Sequence, residues 1–116
     1  MKTTVKDFYR FIDTLAPFST QESWDNSGLL VGDKDKEVKK VALCLDITID
    51  TLKQAKDFGA DLVISHHPVI FHPIKQVLAE SPVFFAIQNQ MSLLAAHTPW
   101  DAADGGVNDV LATLLG

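Results

Sequence analysis

The sequence predicts an α/β fold, with a mainly parallel sheet built from βαβ units and helices on both faces. Two observations predict it. From Val38 onward, strand-like runs and helix-like periodicities alternate, with short connections between them. The runs VALCL, LVI and LLAA are also near-continuously apolar, as strands buried on both faces of a parallel sheet must be. Right-handed crossovers then lay the helices over the sheet.

The pattern opens with a helix, in which Val5, Phe8, Phe11, Ile12 and Leu15 recur every three or four residues until Pro17 closes it. ESWDNSGLLVGD reads as an irregular segment running into a short strand at Leu29 to Val31, between Gly28 and Gly32. DKDKEVKK is a polar turn, and VKKVALCLD is the first clear strand. Thr48 is placed to cap a helix through Asp50, Leu52, Ala55 and Phe58, which Gly59 ends. DLVISHHP is the second strand of this series. Ser81 and Pro82 then supply an N-cap and a first-turn proline for a helix opening VFFAIQNQM. SLLAAHT is the third strand, and Asp104 caps a last helix, VNDVLATLL.

With 116 residues the chain is expected to be a single α/β domain over 1–116, long enough for one core. Ten basic and fifteen acidic residues leave a net charge of −5. The only local basic group, Lys34, Lys36, Lys39 and Lys40, is interleaved with acidic residues and reads as a solvated turn. Nucleic acid and membrane are therefore not expected as partners. A small-molecule substrate is, a nucleotide among the candidates, because a metal can supply the missing positive charge. The single cysteine, Cys44, lies in an apolar run and can form no intrachain disulfide, which suits a reducing compartment. No apolar stretch approaches the length of a membrane span, and MKTTVKDFYRF lacks the apolar core of a signal peptide. The expected location is cytoplasmic.

The stretch SHHPVIFHP, residues 65–73, holds three of the four histidines. On the expected frame the polar residues gather at one rim of the sheet. Asp46 follows the first clear strand, His66 and His67 the second, His97 and Asp101 the third. Ligands in open α/β sheets bind outside those carboxyl ends. Neighbours in a regular strand point to opposite faces, so adjacent histidines can serve one site only where the backbone bends. Pro68 keeps His67 out of the helical region. That geometry suits two metals, or one metal with a further imidazole facing substrate. Asp101 can add a carboxylate, and the mixed donor set fits Zn, Fe, Mn, Co or Ni better than Ca or Mg.

Blander readings apply elsewhere. His72 alone reads as a surface or core-edge residue, and Cys44 as a buried, inert thiol. Asp46 reads as part of the approach to the helix cap at Thr48 more than as a ligand. Trp24 and Trp100 read as packing residues. The chain has no H-E-x-x-H, G-x-x-x-x-G-K, G-x-G-x-x-G or G-x-S-x-G.

ESWDNSGLLVGD, the strand closing in LD followed by T, GADLVISHHPVIF and HTPWDAADGGVND together resemble successive signatures of the Nif-three-like family. Its members are often described as type 2 GTP cyclohydrolase I. The resemblance implies an α/β domain carrying a dinuclear centre of two divalent transition metal ions, in a toroidal homohexamer built as a trimer of dimers. It maps metal ligands onto His66, His67 and Asp101, and gives His97 a site-lining, catalytic role in orienting water or substrate. Glu22, Trp24, Asp25 and Asn26 match the family's segment near the site without assigned roles. The family completes its centre with a histidine and a glutamate from a second half. On this resemblance the chain is expected to be the N-terminal fragment of a longer two-half protein, inactive or weakly active by itself.

The function expected of the intact protein is dinuclear metal-dependent hydrolysis or cyclohydrolysis of GTP or a related nucleotide. The alternatives are a metal-dependent nucleotide phosphoesterase, or a non-catalytic metal-binding or interaction protein.

Overall fold

A computed structural model describes residues 2–97. The expected last helix, with its cap Asp104, lies outside them, as do Trp100 and Asp101. In chain order the elements are helix α1 (Val5–Leu15), a 3-10 turn (Phe18–Thr20), strand β1 (Gly28–Val31), β2 (Val41–Cys44), helix α2 (Ile49–Phe58), β3 (Leu62–Ser65), helix α3 (Pro82–Gln88) and β4 (Ser92–Ala95). The strands form one sheet in the order β1-β4-β3-β2.

β2, β3 and β4 run parallel, with Val41 opposite Leu62 and Leu62 opposite Ser92. Each of these steps is a βαβ unit, crossed over by α2 and then by α3. β1 pairs antiparallel with β4, Gly28 opposite Ala95, with a register shift between Leu29 and Val31. The sheet is mainly parallel, as the alternation predicted. Its antiparallel edge follows from connectivity, because β1 is not joined to its neighbour by a crossover helix.

Side chains of the central strands alternate between two cores. Val63 and Leu93 pack with Leu52, Ala55, Val83 and Ala86 of α2 and α3. Leu62, Ile64 and Leu94 pack with Val5 and Phe18, against Phe8, Tyr9 and Ile12 of α1. Helices therefore cover both faces, and β3 and β4 are buried along their whole length. The apolar stripe of α1 is narrower than its sequence suggests. Phe11 is 63% and Leu15 60% exposed, since these two, four residues apart, line a flank turned away from the Val5–Tyr9–Ile12 face.

Local chemistry sets the helix ends. α1 starts with a capping box in which Thr4 N–H donates to Asp7 at 2.9 Å. Its hydrogen bonds to Thr4 hold the Asp7 carboxyl below the usual carboxylate range. The polar turn serves the same helix, its Lys36 and Lys34 carbonyls accepting from Val5 N at 3.0 Å and Lys6 N at 2.9 Å. At α2, Thr48 Oγ1 accepts from Thr51 N at 3.0 Å while Thr48 N donates to Thr51 Oγ1 at 2.8 Å. Gly59 ends that helix in the left-handed region, at φ 91°. Thr48→Ala removes the cap oxygen and is expected to cost about 0.5–2 kcal/mol in urea denaturation. α3 carries the expected Ser81 cap, with Val83 N donating to Ser81 Oγ at 3.1 Å, but stops at Gln88. Gln90 lies just beyond, at φ 55°. The connection from β3 to α3 has no regular structure, and residues 71–80 are exposed throughout. No helix among the described residues is long and apolar enough to cross a membrane.

Candidate metal centre

The carboxyl ends of β2, β3 and β4 meet at one rim. There His66, His67 and His97 form a cluster in which one nitrogen of each ring lies within 4.8 Å of the others. Their ring centroids stand 4.9 Å (His66–His67), 4.9 Å (His66–His97) and 5.1 Å (His67–His97) apart, edge to face.

The backbone explains how two adjacent imidazoles reach one site. In a regular strand successive N–H groups point to opposite edges, so only alternate residues donate to a given neighbour. Here both His66 N and His67 N donate toward the β2 side, to Cys44 O at 3.2 Å and Leu45 O at 2.9 Å. The chain has therefore turned just past Ser65, and the pleat alternation no longer separates the two rings. Ser65, 2% exposed, stabilises that bend by donating its hydroxyl to His67 O at 2.8 Å. Pro68 follows and offers no N–H to continue the ladder. On the other side, Ala96 N donates to Ser65 O at 2.9 Å, which brings His97 alongside.

Two carboxylates hold two of the rings. Asp46 Oδ1 lies 2.6 Å from His67 Nδ1, with both side chains about half exposed or more. Asp25 Oδ1 lies 3.1 Å from His97 Nδ1, the Asp25 side chain fully buried and that of His97 16% exposed. An ionised carboxylate only accepts, so in the neutral ring each contact favours hydrogen on Nδ1, the tautomer that leaves the Nε2 lone pair for a metal.

Asp46 therefore has a role the sequence did not suggest. Thr48 caps α2, and the Asp46 carboxylate serves His67 instead. Trp24, read as a packing residue, is 55% exposed and forms a T-shaped pair with His97, ring centroids 5.7 Å apart. Its other neighbour is Phe71 at 5.9 Å. His72 is exposed and stands apart from the cluster, against Phe71. Cys44 is half-buried, and burial, with the Asp46 charge second, pushes its thiol above the usual value, so it is a poor nucleophile. Ser27 was not singled out by any pattern in the sequence. Its hydroxyl bonds Asp25 and accepts from His97 N, contacts that only the assembled fold creates.

The donor set fits a transition metal. Nitrogens at about 2.0–2.1 Å from one ion lie within about 4.2 Å of each other. A cluster spanning 4.8 Å is slightly wider, a gap that small ring rotations close or that two adjoining ions fill. Carboxylate partners on Nδ1 are the usual outer contacts of metal-binding imidazoles.

A sheet with this order and a three-imidazole rim defines an α/β protein with a candidate metal centre at the carboxyl ends of its strands. The chain belongs to the Duf34/NIF3 (NGG1p interacting factor 3) family, whose sequence pattern matches residues 3–116. A Clostridium perfringens relative named GTP cyclohydrolase 1 type 2 homolog is 37% identical over 116 residues, covering 97% of this chain and 44% of that protein. A Staphylococcus aureus protein of the same name is 40% identical over 115 residues, covering 97% of this chain and 31% of its own length. Among solved structures, a Staphylococcus aureus hypothetical protein superposes with a TM-score of 0.95 at 39% identity, over 100% of this chain and 34% of its own. A Bacillus cereus protein related to NIF3 superposes at 0.92 with 33% identity, over 100% of this chain and 33% of its own. The chain thus spans less than half the length of each of these relatives.

Proposed function

We propose that this chain supplies one half of the metal site of a dinuclear metal-dependent hydrolase or cyclohydrolase acting on GTP or a related nucleotide. The observation that carries the proposal is the convergence of His66, His67 and His97 from two strand ends onto one rim. His66 and His67 would hold metal through imidazole nitrogens, joined by the Asp101 carboxylate that the family resemblance assigns. His97, backed by Asp25, would hold a proton-bearing Nδ1 fixed and offer Nε2 to water, substrate or metal. Bound ions would lower the pKa of a coordinated water to about 7 and polarise the attacked centre. Trp24 supports a nucleotide as substrate, since an exposed indole beside the cluster offers a stacking surface to a purine. The names of the curated relatives support GTP as the first nucleotide to test.

Three imidazoles and one carboxylate are too few donors for two four-coordinate ions. The remaining histidine and glutamate, and a toroidal hexamer that would bring copies together, belong to the same proposal. Elemental analysis of the purified 116-residue chain is expected to find about one equivalent of transition metal or less. Two equivalents would overturn the half-site. Weak or no turnover is expected of this chain by itself. For the chemistry, formate release from GTP by the full-length Clostridium perfringens relative is set against phosphate release from a panel of nucleotides. Formate supports the cyclohydrolase and phosphate a phosphoesterase. Metal that raises Tm without turnover of either would leave a binding protein.

A further inference from the structure

We infer that Asp25 is the positioning residue of the cluster, a buried carboxylate that fixes both the tautomer and the placement of His97 without itself holding metal. Burying a carboxylate is costly unless donors surround it. Asp25, with a fully buried side chain, has them. Asn26 N donates to Oδ1 at 2.8 Å, Ser27 Oγ donates to Oδ2 at 2.9 Å, and His97 Nδ1 lies 3.1 Å from Oδ1. The same Ser27 oxygen accepts from His97 N at 3.0 Å. Asp25 and Ser27 thus grip His97 twice, once by its ring and once by its backbone, across 72 positions of sequence.

The grip is itself anchored. Ser27 N donates to Gln21 Oε1 at 3.0 Å, and Asn26 Nδ2 donates to Ile70 O at 2.7 Å, tying the segment to the chain that follows the paired histidines. Gly28, the next residue, enters the sheet opposite Ala95. Residues 25–28 therefore bridge the end of β4 to the exit from β3. Asp46 makes a similar contact to His67, but its side chain is 65% exposed, so water competes for it. Of the two carboxylates, Asp25 is the one sheltered from competing water.

The test reads the ring directly in metal-free protein, so it does not depend on the proposed metal chemistry. At about pH 8.5, where imidazole is neutral, long-range ¹H–¹⁵N correlation spectra of the full chain should show His97 with hydrogen on Nδ1 and a bare Nε2. A wild-type His97 with hydrogen on Nε2 would overturn the inference. In Asp25→Ala the ring should revert to a tautomer mixture. Its zinc affinity, by calorimetry, should fall about 10–100-fold, as for loss of an outer contact to a ligand. Unchanged tautomer and affinity in this variant would also overturn it. Asp25→Ala can fail to fold, so Ser27→Ala provides a milder arm. It leaves the Asp25 contact to the ring in place, and should keep the Nδ1–H tautomer while zinc affinity drops several-fold. Loss of the tautomer in Ser27→Ala would assign the positioning to the hydroxyl and not to Asp25. If wild-type protein binds no zinc yet shows the Nδ1–H ring, the function proposed above fails while the positioning role of Asp25 stands.

Discussion

Replacing His66 or His97 with alanine is expected to erase the stabilisation that transition metal gives this chain. Wild-type protein at roughly a hundred times the Kd for its preferred ion gains about 2.7 kcal/mol by linkage. For a chain of this length that is a rise in Tm of roughly 10 °C or more. The cluster has one nitrogen of each ring within 4.8 Å of the others, so either change removes a donor from the centre of the set. His66→Ala should cost little fold stability by itself, whereas His97→Ala also takes a partner from the buried Asp25 carboxylate, so each metal shift is read against that variant's own metal-free Tm. His72→Ala is the matched control. It deletes an imidazole of the same kind from an exposed position and should leave the metal-dependent shift intact. Thermal scans with Zn, Fe, Mn, Co and Ni in turn read all three variants. A full shift in both His66→Ala and His97→Ala would remove the cluster from consideration as a metal site.

How much of this site could be read from the sequence depends on the range over which each interaction acts. The strands announced themselves by apolar continuity, which two-sided burial accounts for in LVIS and SLLA but not in VALC, whose strand β2 is an edge with Leu43 71% exposed. The histidines then fell at strand ends by simple position. Asp46 fell at the same rim and Asp25 in the segment near the site, but which imidazole each carboxylate holds was not legible. Asp46 and His67 are 21 positions apart, and Asp25 and His97 are 72 apart. Nothing local in LDIT or WDNS distinguishes an imidazole partner from a turn residue, since Asp and Ser favour turns for their own hydrogen-bonding reasons. The antiparallel placement of β1 was hidden for a related reason. Four residues, GLLV, mark a strand without stating its direction, and only the sheet order reveals that β1 returns along β4. The exposure of Phe11 and Leu15 shows the converse limit, in that helical periodicity shows where apolar residues recur but not which of them a given sheet covers. Asp101, the carboxylate assigned by the family resemblance, lies beyond the described residues.

Gly32→Ala is expected to be the most damaging single-atom-group addition to the fold. Gly32 sits just past β1 at φ 121°, a backbone conformation that L side chains rarely adopt. A Cβ placed there would lie 2.3 Å from Ser92 Oγ, 2.7 Å from Ser92 Cβ and 2.9 Å from Ser92 Cα. Rotating the Ser92 hydroxyl clears only the first of these. The other two belong to a residue 1% exposed at the start of β4, opposite Leu62 in the centre of the sheet. Relief therefore requires β1 to move away from β4, which strains the pairing that both cores depend on. Backbone strain of about 1–3 kcal/mol and overpacking of about 1–3 kcal/mol together take a large part of a typical stability of about 5–15 kcal/mol. Urea titration should show the midpoint falling accordingly, and a midpoint within error of wild type would mean that the close approach of Gly32 to Ser92 does not exist in solution. Gly32 lies at the opposite end of β1 from Ser27 and the imidazole rim, so whatever fraction stays folded should bind metal with wild-type affinity. That separation distinguishes the two large effects. The histidine variants lose the ion and keep the sheet, whereas Gly32→Ala weakens the sheet and leaves the ion's donors in place.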